Sequence, residues 1–418
     1  MTSAATSGRL PGHVTAIAGA FLVSCMGDGL AITALMLDFH DRGVGSASIT
    51  GLFTAMSLPA IVFADLAGRV ADRYPARRAL LPAGAALVAV CFGMAFISTP
   101  VLLILLLAAL SGLMAVAAPV FTKTVLDASP GPLMSRAAAQ VSMATSLGFL
   151  IGPAVGAILK DAVGLRGVLL VDAATYLVVP AVALLLPAHS GAEQEHTTSQ
   201  QPSSPPKSGL QHGLRILIRE APAARVVVLG TALAFTLQIT NVVEVYLVRD
   251  DYQASSFMFG LVTMVWAAGQ ILGSGIAGRI LAQRSAQPAA TLTVVAVGLA
   301  LATAAILNSL PALFALMLAA GAANGAFGVA RQTTLGRAVE PEHRGSAVAA
   351  HSALLNTATV LALTSSGVLA TMVAPRPLYA AAGALLLLLT ATVYLVHRKP
   401  VPREGAVEIA RVARDVTS

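Results

Sequence analysis

The sequence predicts an all-α membrane protein with 12 transmembrane helices, arranged as two pseudo-symmetric six-helix bundles. Three observations carry that expectation: a composition that cannot face water, apolar segments of spanning length along the whole chain, and two halves that echo each other across a polar linker. Of the 418 residues, 56% are hydrophobic and only 11% are charged, with a mean hydropathy of +0.81. Soluble domains carry roughly 25% charged residues, so this chain cannot build a water-facing surface. A helix needs about 20 apolar residues to cross a bilayer. Hydrocarbon offers the backbone no hydrogen bonds, so each segment must be helical, and the segments lack the alternation of a barrel strand.

The predicted spans, in order, are 12–37, 46–73, 78–98, 100–125, 135–160, 165–187, 223–248, 254–281, 287–308, 311–334, 345–372 and 375–397. Pro59, Pro119, Pro153 and Pro180 fall inside them, which membrane bundles tolerate because neighbours re-satisfy the freed carbonyls. Residues 188–208 are rich in Ser, Pro and Gln, cannot bury a core, and read as a flexible linker. From Leu210 to Arg225 the chain is amphipathic and basic. It reads either as a helix on the inner membrane surface or as a lead-in to the seventh span. The expected organisation is an N-terminal bundle over 1–187, a linker over 188–222, a C-terminal bundle over 223–397 and a cytoplasmic tail over 398–418.

The net charge of +7 does not imply nucleic acid, because the basic residues are dispersed through short, mainly alternate loops. With the N-terminus inside, 21 of the 26 Lys and Arg fall on the cytoplasmic side, and only Arg42, Lys160, Arg166, Arg249 and Arg376 fall outside. Positive charge accumulates on the cytoplasmic side, so both termini are expected there, in a cell (inner or plasma) membrane. Cys25 and Cys91 both lie in apolar stretches and read as small buried hydrophobes, without disulfide or metal-site spacing. Leu22-Val23-Ser24-Cys25 looks like a lipoprotein cleavage box, but the apolar run continues through Leu37, as a spanning helix does.

The halves echo each other. Gly51-Leu52-Phe53-Thr54 leads to Gly68-Arg69-Val70-Ala71-Asp72-Arg73, and Gly260-Leu261-Val262-Thr263 leads to Gly278-Arg279-Ile280 and Arg284. Repeated halves are how many secondary transporters build a central site that opens alternately to each side. Such an echo can also arise by chance in Gly- and Ala-rich helices.

Two motifs carry a family resemblance. The loop after the second span reads Gly68-Arg69-Val70-Ala71-Asp72-Arg73-Tyr74-Pro75-Ala76-Arg77-Arg78, with Pro75 near the place of a second glycine. The fifth span contains Gly148-Phe149-Leu150-Ile151-Gly152-Pro153-Ala154-Val155-Gly156. The first resembles motif A of the major facilitator superfamily, and the second resembles its antiporter motif, G-x-x-x-G-P-x-x-G. Met26-Gly27-Asp28-Gly29-Leu30, with Leu58-Pro59, is similar to the branch of macrolide and enterobactin exporters. The resemblance implies the major facilitator fold and a drug:proton antiporter type. It also implies a cytoplasmic gate in which Asp72 opposes the N-terminus of the eleventh span and Arg77 pairs with Asp127. Gly68, Arg73 and Arg78 complete that gate. A plainer reading is that these arginines only enforce topology. Small-residue packing alone can likewise produce the glycine run.

A carboxylate inside the bilayer costs roughly 2.5–3.5 kcal/mol on insertion scales, so it is usually functional or paired. Asp28, mid-span beside Gly27 and Gly29, is the first candidate for a protonatable site; a polar helix contact is the alternative. Glu244 shares a broad face with Gln238 and Asn241 and is the second, with pairing to Arg249 as its alternative. Asp65 reads as support for the gate, Asp172 as structural, and Lys123 and Arg331 as gate or snorkelling residues. Trp266, Gln270, Asn324, His351 and Asn356 are expected to line the cavity or to join helices.

The function expected is proton-coupled efflux of a small amphipathic compound (drug, antibiotic or siderophore) by a monomer needing no cofactor. An importer or facilitator of a small metabolite is the alternative. A membrane enzyme is disfavoured, because the sequence has neither a phosphate-binding Gly-Lys-Ser/Thr loop nor a histidine pair with metalloprotease spacing.

Overall fold

A computed structural model describes residues 12–127, 132–185, 209–281, 286–340 and 344–396, and all regular structure among them is helical. The first span is α1 (Gly12–Asp41). The second is shared by α2 (Ser46–Val62) and α3 (Ala64–Arg73), which part at Phe63, four residues after Pro59. Proline withholds a donor from the ladder, so a break near it is expected. Then come α4 (Ala76–Met94), α5 (Pro100–Asp127), α6 (Pro132–Tyr176) and α7 (Val178–Leu185). After the linker, α8 (Gly209–Arg219) precedes α9 (Ala221–Tyr246), which ends in one π turn at Leu247–Asp251. The chain closes with α10 (Ser256–Leu281), α11 (Ala286–Ile306), α12 (Leu310–Ala338), α13 (Arg344–Met372) and α14 (Pro375–Val396).

Among the described residues, ten helical segments are long and apolar enough to cross a bilayer. One of them, Met143–Leu184, runs for 42 residues, about twice the length a 30 Å hydrocarbon core takes. Within it Gly164 adopts φ 69° and ψ 174°, a left-handed conformation that glycine tolerates, so the segment turns there and crosses twice. The α2–α3 pair supplies the remaining crossing, giving the expected 12.

Inside lipid, helix hydroxyls need acceptors. Thr33, Thr54, Thr124, Thr334 and Thr390 each donate to the carbonyl one turn back. Large apolar side chains such as Leu105, Leu292 and Leu388 are exposed on helix exteriors, where lipid can cover them.

The halves pair their helices in the same way. In the N-terminal half α1 packs on α6, α2 and α3 on α5, and α4 on α6 and α7. In the C-terminal half α9 packs on α13, α10 on α12, and α11 on α14. Between the halves α6 meets α10 and α2 meets α13, two contacts that the pseudo-twofold axis exchanges. Both lie at the end predicted to be external. Ser46 Oγ donates to Gly367 O at 3.4 Å, and a Cβ on Gly260 would stand 2.6 Å from Pro153 O. At the predicted inner end, an apolar cluster of Leu217, Ala223, Val227, Leu335, Val339, Ala347 and Ala350 belongs to α8 and the C-terminal half alone. There α8 docks through Leu217 and leaves Leu214 and Ile218 exposed beside Arg215 and Arg219, the amphipathic pattern expected at a membrane surface.

Lipid tails are as apolar as leucine, so helices associate through close packing rather than hydrophobic burial. The antiporter-like glycines supply that packing. A Cβ on Gly148 would stand 2.8 Å from Leu22 O, on Gly152 2.7 Å from Met26 O, and on Gly156 2.6 Å from Leu30 Cα. The fifth span therefore lies backbone to backbone on α1. In the C-terminal half a second seam joins α10 and α12, where a Cβ on Gly269 would stand 2.9 Å from Ala322 N.

Gly152→Leu is expected to lower the monodisperse folded fraction and the melting temperature, because overpacking costs about 1–3 kcal/mol. Gly275→Leu, with open space around its Cβ, is expected to leave both near wild type. Fluorescence-detected size exclusion with a thermal ramp measures the difference, and equal stability of the two variants would contradict the seam.

Candidate functional site

Where α1 and α6 touch, two carboxylates meet. Tyr176 Oη donates to Asp28 Oδ1 across the helix boundary. One turn earlier on α6, Asp172 is 1% exposed and accepts from Thr175 Oγ1 at 3.2 Å and from Cys91 Sγ at 3.2 Å. Gly27 leaves room for this arrangement, since a Cβ there would overlap Asp172 Oδ1 and Thr175 Oγ1. Asp172 thus presses on the α1 backbone at the residue next to Asp28. Neither acid forms an ion pair among the described residues. Two like charges this close in hydrocarbon repel, and a proton held in the cluster removes the repulsion.

The C-terminal half holds a separate cavity of about 270 Å³. It is walled by Gln238 and Asn241 of α9, Trp266 and Gln270 of α10, and Asn324 and Arg331 of α12, with Thr359 of α13. Helix spacing brings these together: Gln270 follows Trp266 by one turn, and Arg331 follows Asn324 by seven residues. The α10–α12 seam draws the two faces close, because Gly321 abuts Trp266 O and Gly325 abuts Gln270 O. Asn241 Nδ2 donates to Gln238 Oε1 at 2.8 Å, which orients both carboxamides.

At the predicted outer end, charges join the halves. Asp41 is bound by Lys160 of its own half and by Arg249 Nη2 of the other at 3.0 Å. His40 Nε2 lies 3.1 Å from Asp250 Oδ1, and the His40 ring packs edge-on to Tyr246 at 5.3 Å. The π turn at Leu247–Asp251 carries both Arg249 and Asp250 into this bridge, and Arg249 Nη1 also donates to Ala254 O at 3.0 Å. Arg376 Nη2 donates to Asn308 Oδ1 at 2.7 Å and closes the neighbouring loops.

Among the residues singled out by sequence, Gln238, Asn241, Trp266, Gln270 and Asn324 converge on one wall. Glu244 stands one turn beyond Asn241, outside that wall and within electrostatic range of Tyr379 of α14. Asn356 is exposed, and Thr359 one turn on takes the place in the lining. Arg249 pairs with Asp41 rather than with Glu244. Asp172 lies in the carboxylate cluster rather than near the loop, and Arg331 lies on the cavity wall rather than at a gate. The i, i+4 spacing of Asp172 and Tyr176, and the i, i+7 spacing of Asn324 and Arg331, were the available signals for these two. His351 is 5% exposed, and both its ring nitrogens lack a hydrogen-bond partner. Of the gate motif, Arg73 and Arg78 are exposed and Arg77 is half-buried; the side chains of Gly68, Asp72 and Asp127 lie outside the described residues, as do those of Asp65 and Lys123.

A family profile described as Major Facilitator Superfamily matches residues 17–247 and again 226–417. A curated relative, the uncharacterized MFS-type transporter YfiS of Bacillus subtilis (strain 168), is 22% identical over 376 residues, covering 88% of this chain and 89% of its own. Among solved structures, the nucleoside transporter NupG (D323A mutant) superposes with a TM-score of 0.74 at 18% identity, over 92% of this chain and 99% of that one. A bacterial homologue of the human lysosomal transporter Spinster, inward-facing and unoccupied, superposes with a TM-score of 0.71 at 13% identity, over 92% and 96%. These likenesses show the fold.

Asp41→Ala removes one bridge between the halves and one within the first. At about 0.2–1 kcal/mol per exposed pair, the loss of the bridge between the halves shifts an open-to-closed ratio at that end by up to about fivefold. Spin labels at Thr99 and Leu307, with Cys25→Ser and Cys91→Ser as background, are expected to gain a longer-distance population in that variant. An unchanged distance distribution would remove Asp41 from the closure.

Proposed function

Because the chain belongs to the major facilitator superfamily, and so is a multi-pass membrane transporter rather than an enzyme, we propose that it exports a small amphipathic compound in exchange for protons. The observation that supports this most is Asp28 set against Tyr176 and beside Asp172 where α1 meets the sixth span, without a counter-charge among the described residues. The antiporter-like glycines of span five pack against Leu22, Met26 and Leu30, and so hold the helix that carries Asp28. The reading places the protein in the drug:proton antiporter group, near the macrolide and enterobactin exporters, acting as a monomer with both termini cytoplasmic. Its bundles are residues 1–187 and 223–397, joined by 188–222, with 398–418 as the tail.

With that orientation the described contacts between the halves lie at the outer side, and the proposed cycle starts from an inward-open state. Substrate enters from the cytoplasm towards Gln238, Asn241 and Trp266 while the carboxylates are ionised. The bundles then rock, the bridges at Asp41 part, and the gate of Asp72, Arg73, Arg77, Arg78 and Asp127 forms inside. A proton from outside reaches Asp28, substrate leaves, and the protonated carrier returns. In this reading Glu244, one turn outward of Asn241, passes a proton between the outer side and the cavity. One proton entering at about 100 mV supplies roughly 2.3 kcal/mol, enough for a substrate gradient on the order of 50-fold. A metabolite importer shares this geometry and differs in the direction of coupled proton flow.

Asp28→Asn is expected to insert and fold normally, yet its gradient of a neutral substrate should fall from about 50-fold towards 1 in proteoliposomes. Substrate exchange without a proton gradient should persist. Gradient-driven efflux at the wild-type level would remove Asp28 from coupling.

A further inference from the structure

The cavity in the C-terminal half narrows what the substrate is, on the premise that the chain is a transporter with its binding site between the bundles. Its polar lining consists of four carboxamides (Gln238, Asn241, Gln270, Asn324), the indole of Trp266, the guanidinium of Arg331 and the hydroxyl of Thr359, with no carboxylate among the described residues. Arg331 forms no ion pair among the described residues. A guanidinium held in a membrane bundle is stabilised by an anion, and its planar fork suits the two oxygens of a carboxylate, phosphate or sulfonate. The charge of Arg331 also reaches His351, whose ring nitrogens have no hydrogen-bond partner, so that side chain does not answer it. The acids of the transport site are elsewhere: Asp28 and Asp172 belong to the other half, and Glu244 is outside the lining.

We propose that this cavity binds a compact organic anion carrying a planar ring, with the anionic group on Arg331 and the ring against Trp266. The carboxamides read the hydrogen-bonding edge of the ring, since each offers both donors and an acceptor. The indole offers a flat face for offset or edge-on ring contact. At about 270 Å³ the space falls near the lower edge of small-molecule sites and suits one or two fused rings rather than a macrocycle. A cationic amphiphile is disfavoured, because it would meet Arg331 with no acid to offset it.

Charge balance follows. An anion leaving while one proton enters moves the equivalent of two positive charges inward. A potential of about 100 mV favours each charge by roughly fifty-fold, so the pair gains about 2,500-fold in driving force.

The chain has a single tryptophan, so Trp266 fluorescence reports this cavity directly. Three probes of one shape but different charge test the proposal on the full chain in nanodiscs: 2-naphthoate, 2-naphthamide and 2-naphthylmethylammonium. The expected result is saturable quenching by naphthoate at a concentration at least tenfold below either of the others. That preference should vanish in Arg331→Gln and survive in part in Arg331→Lys, while naphthamide binding changes less than twofold. Equal or tighter binding of the ammonium or amide probe, no saturable naphthoate quenching, or an unaltered preference in Arg331→Gln would each overturn it. The charge series in wild type stands even if Arg331→Gln fails to fold. The assay uses no gradient, so anion binding with transport that ignores protons would sink the antiport reading alone.

Discussion

A charge placed in hydrocarbon must be answered, and the functional parts of this protein are arranged by how each charge is answered. Asp28 takes a hydrogen bond from Tyr176, and Asp172 takes bonds from Cys91 and Thr175. These are neutral donors, so the carboxylates are solvated without being neutralised, and protons remain the natural counter-charge. At the predicted outer end Asp41 has two cationic partners and is committed to structure. Arg331 has no acidic partner among the described residues and faces a cavity. The same physical demand therefore underlies the proposed proton site, the closure and the proposed binding site in three different places.

Bare backbone brings those charges to their partners. Gly148, Gly152 and Gly156 let α6 lie on α1, and Gly27 leaves space for Asp172. In the other half Gly269, Gly273, Gly321 and Gly325 draw α10 onto α12 and bring Trp266 and Gln270 to Asn324. The two seams are not related by the pseudo-twofold, since one joins spans one and five and the other joins spans eight and ten. The bundles share a pairing scheme but differ in which pair is tight.

Most of the fold was legible because bilayer thickness and backbone satisfaction leave few options. The turn near residues 160–165 was expected from a pair of spans, and Gly164 supplies it. The break at Phe63 lay within a single predicted span, although Pro59 was its local cause. The π turn at Leu247–Asp251 had no sequence signature, since the bridges it makes to His40 and Asp41 are long-range. In the site, Gln238, Asn241, Trp266, Gln270 and Asn324 were readable as polar groups on apolar helices. Asp172 was misplaced because its neighbours Cys91 and Gly27 sit on α4 and α1, and spacing along one helix carries no information about either. Arg331 read as a terminal cation because its distance from the predicted helix end suits snorkelling, and only the packing of α12 on α10 turns it to the cavity.

The central claim is that protons held at the α1–α6 contact move against substrate held in the C-terminal half. The direct test is internal pH in wild-type proteoliposomes loaded with 2-naphthoate, with potassium and valinomycin clamping the potential and protein-free vesicles as reference. The account predicts that naphthoate leaving the lumen is matched by protons entering, so that the lumen acidifies. A lumen that turns alkaline, or holds its pH while naphthoate departs through the protein, would contradict it.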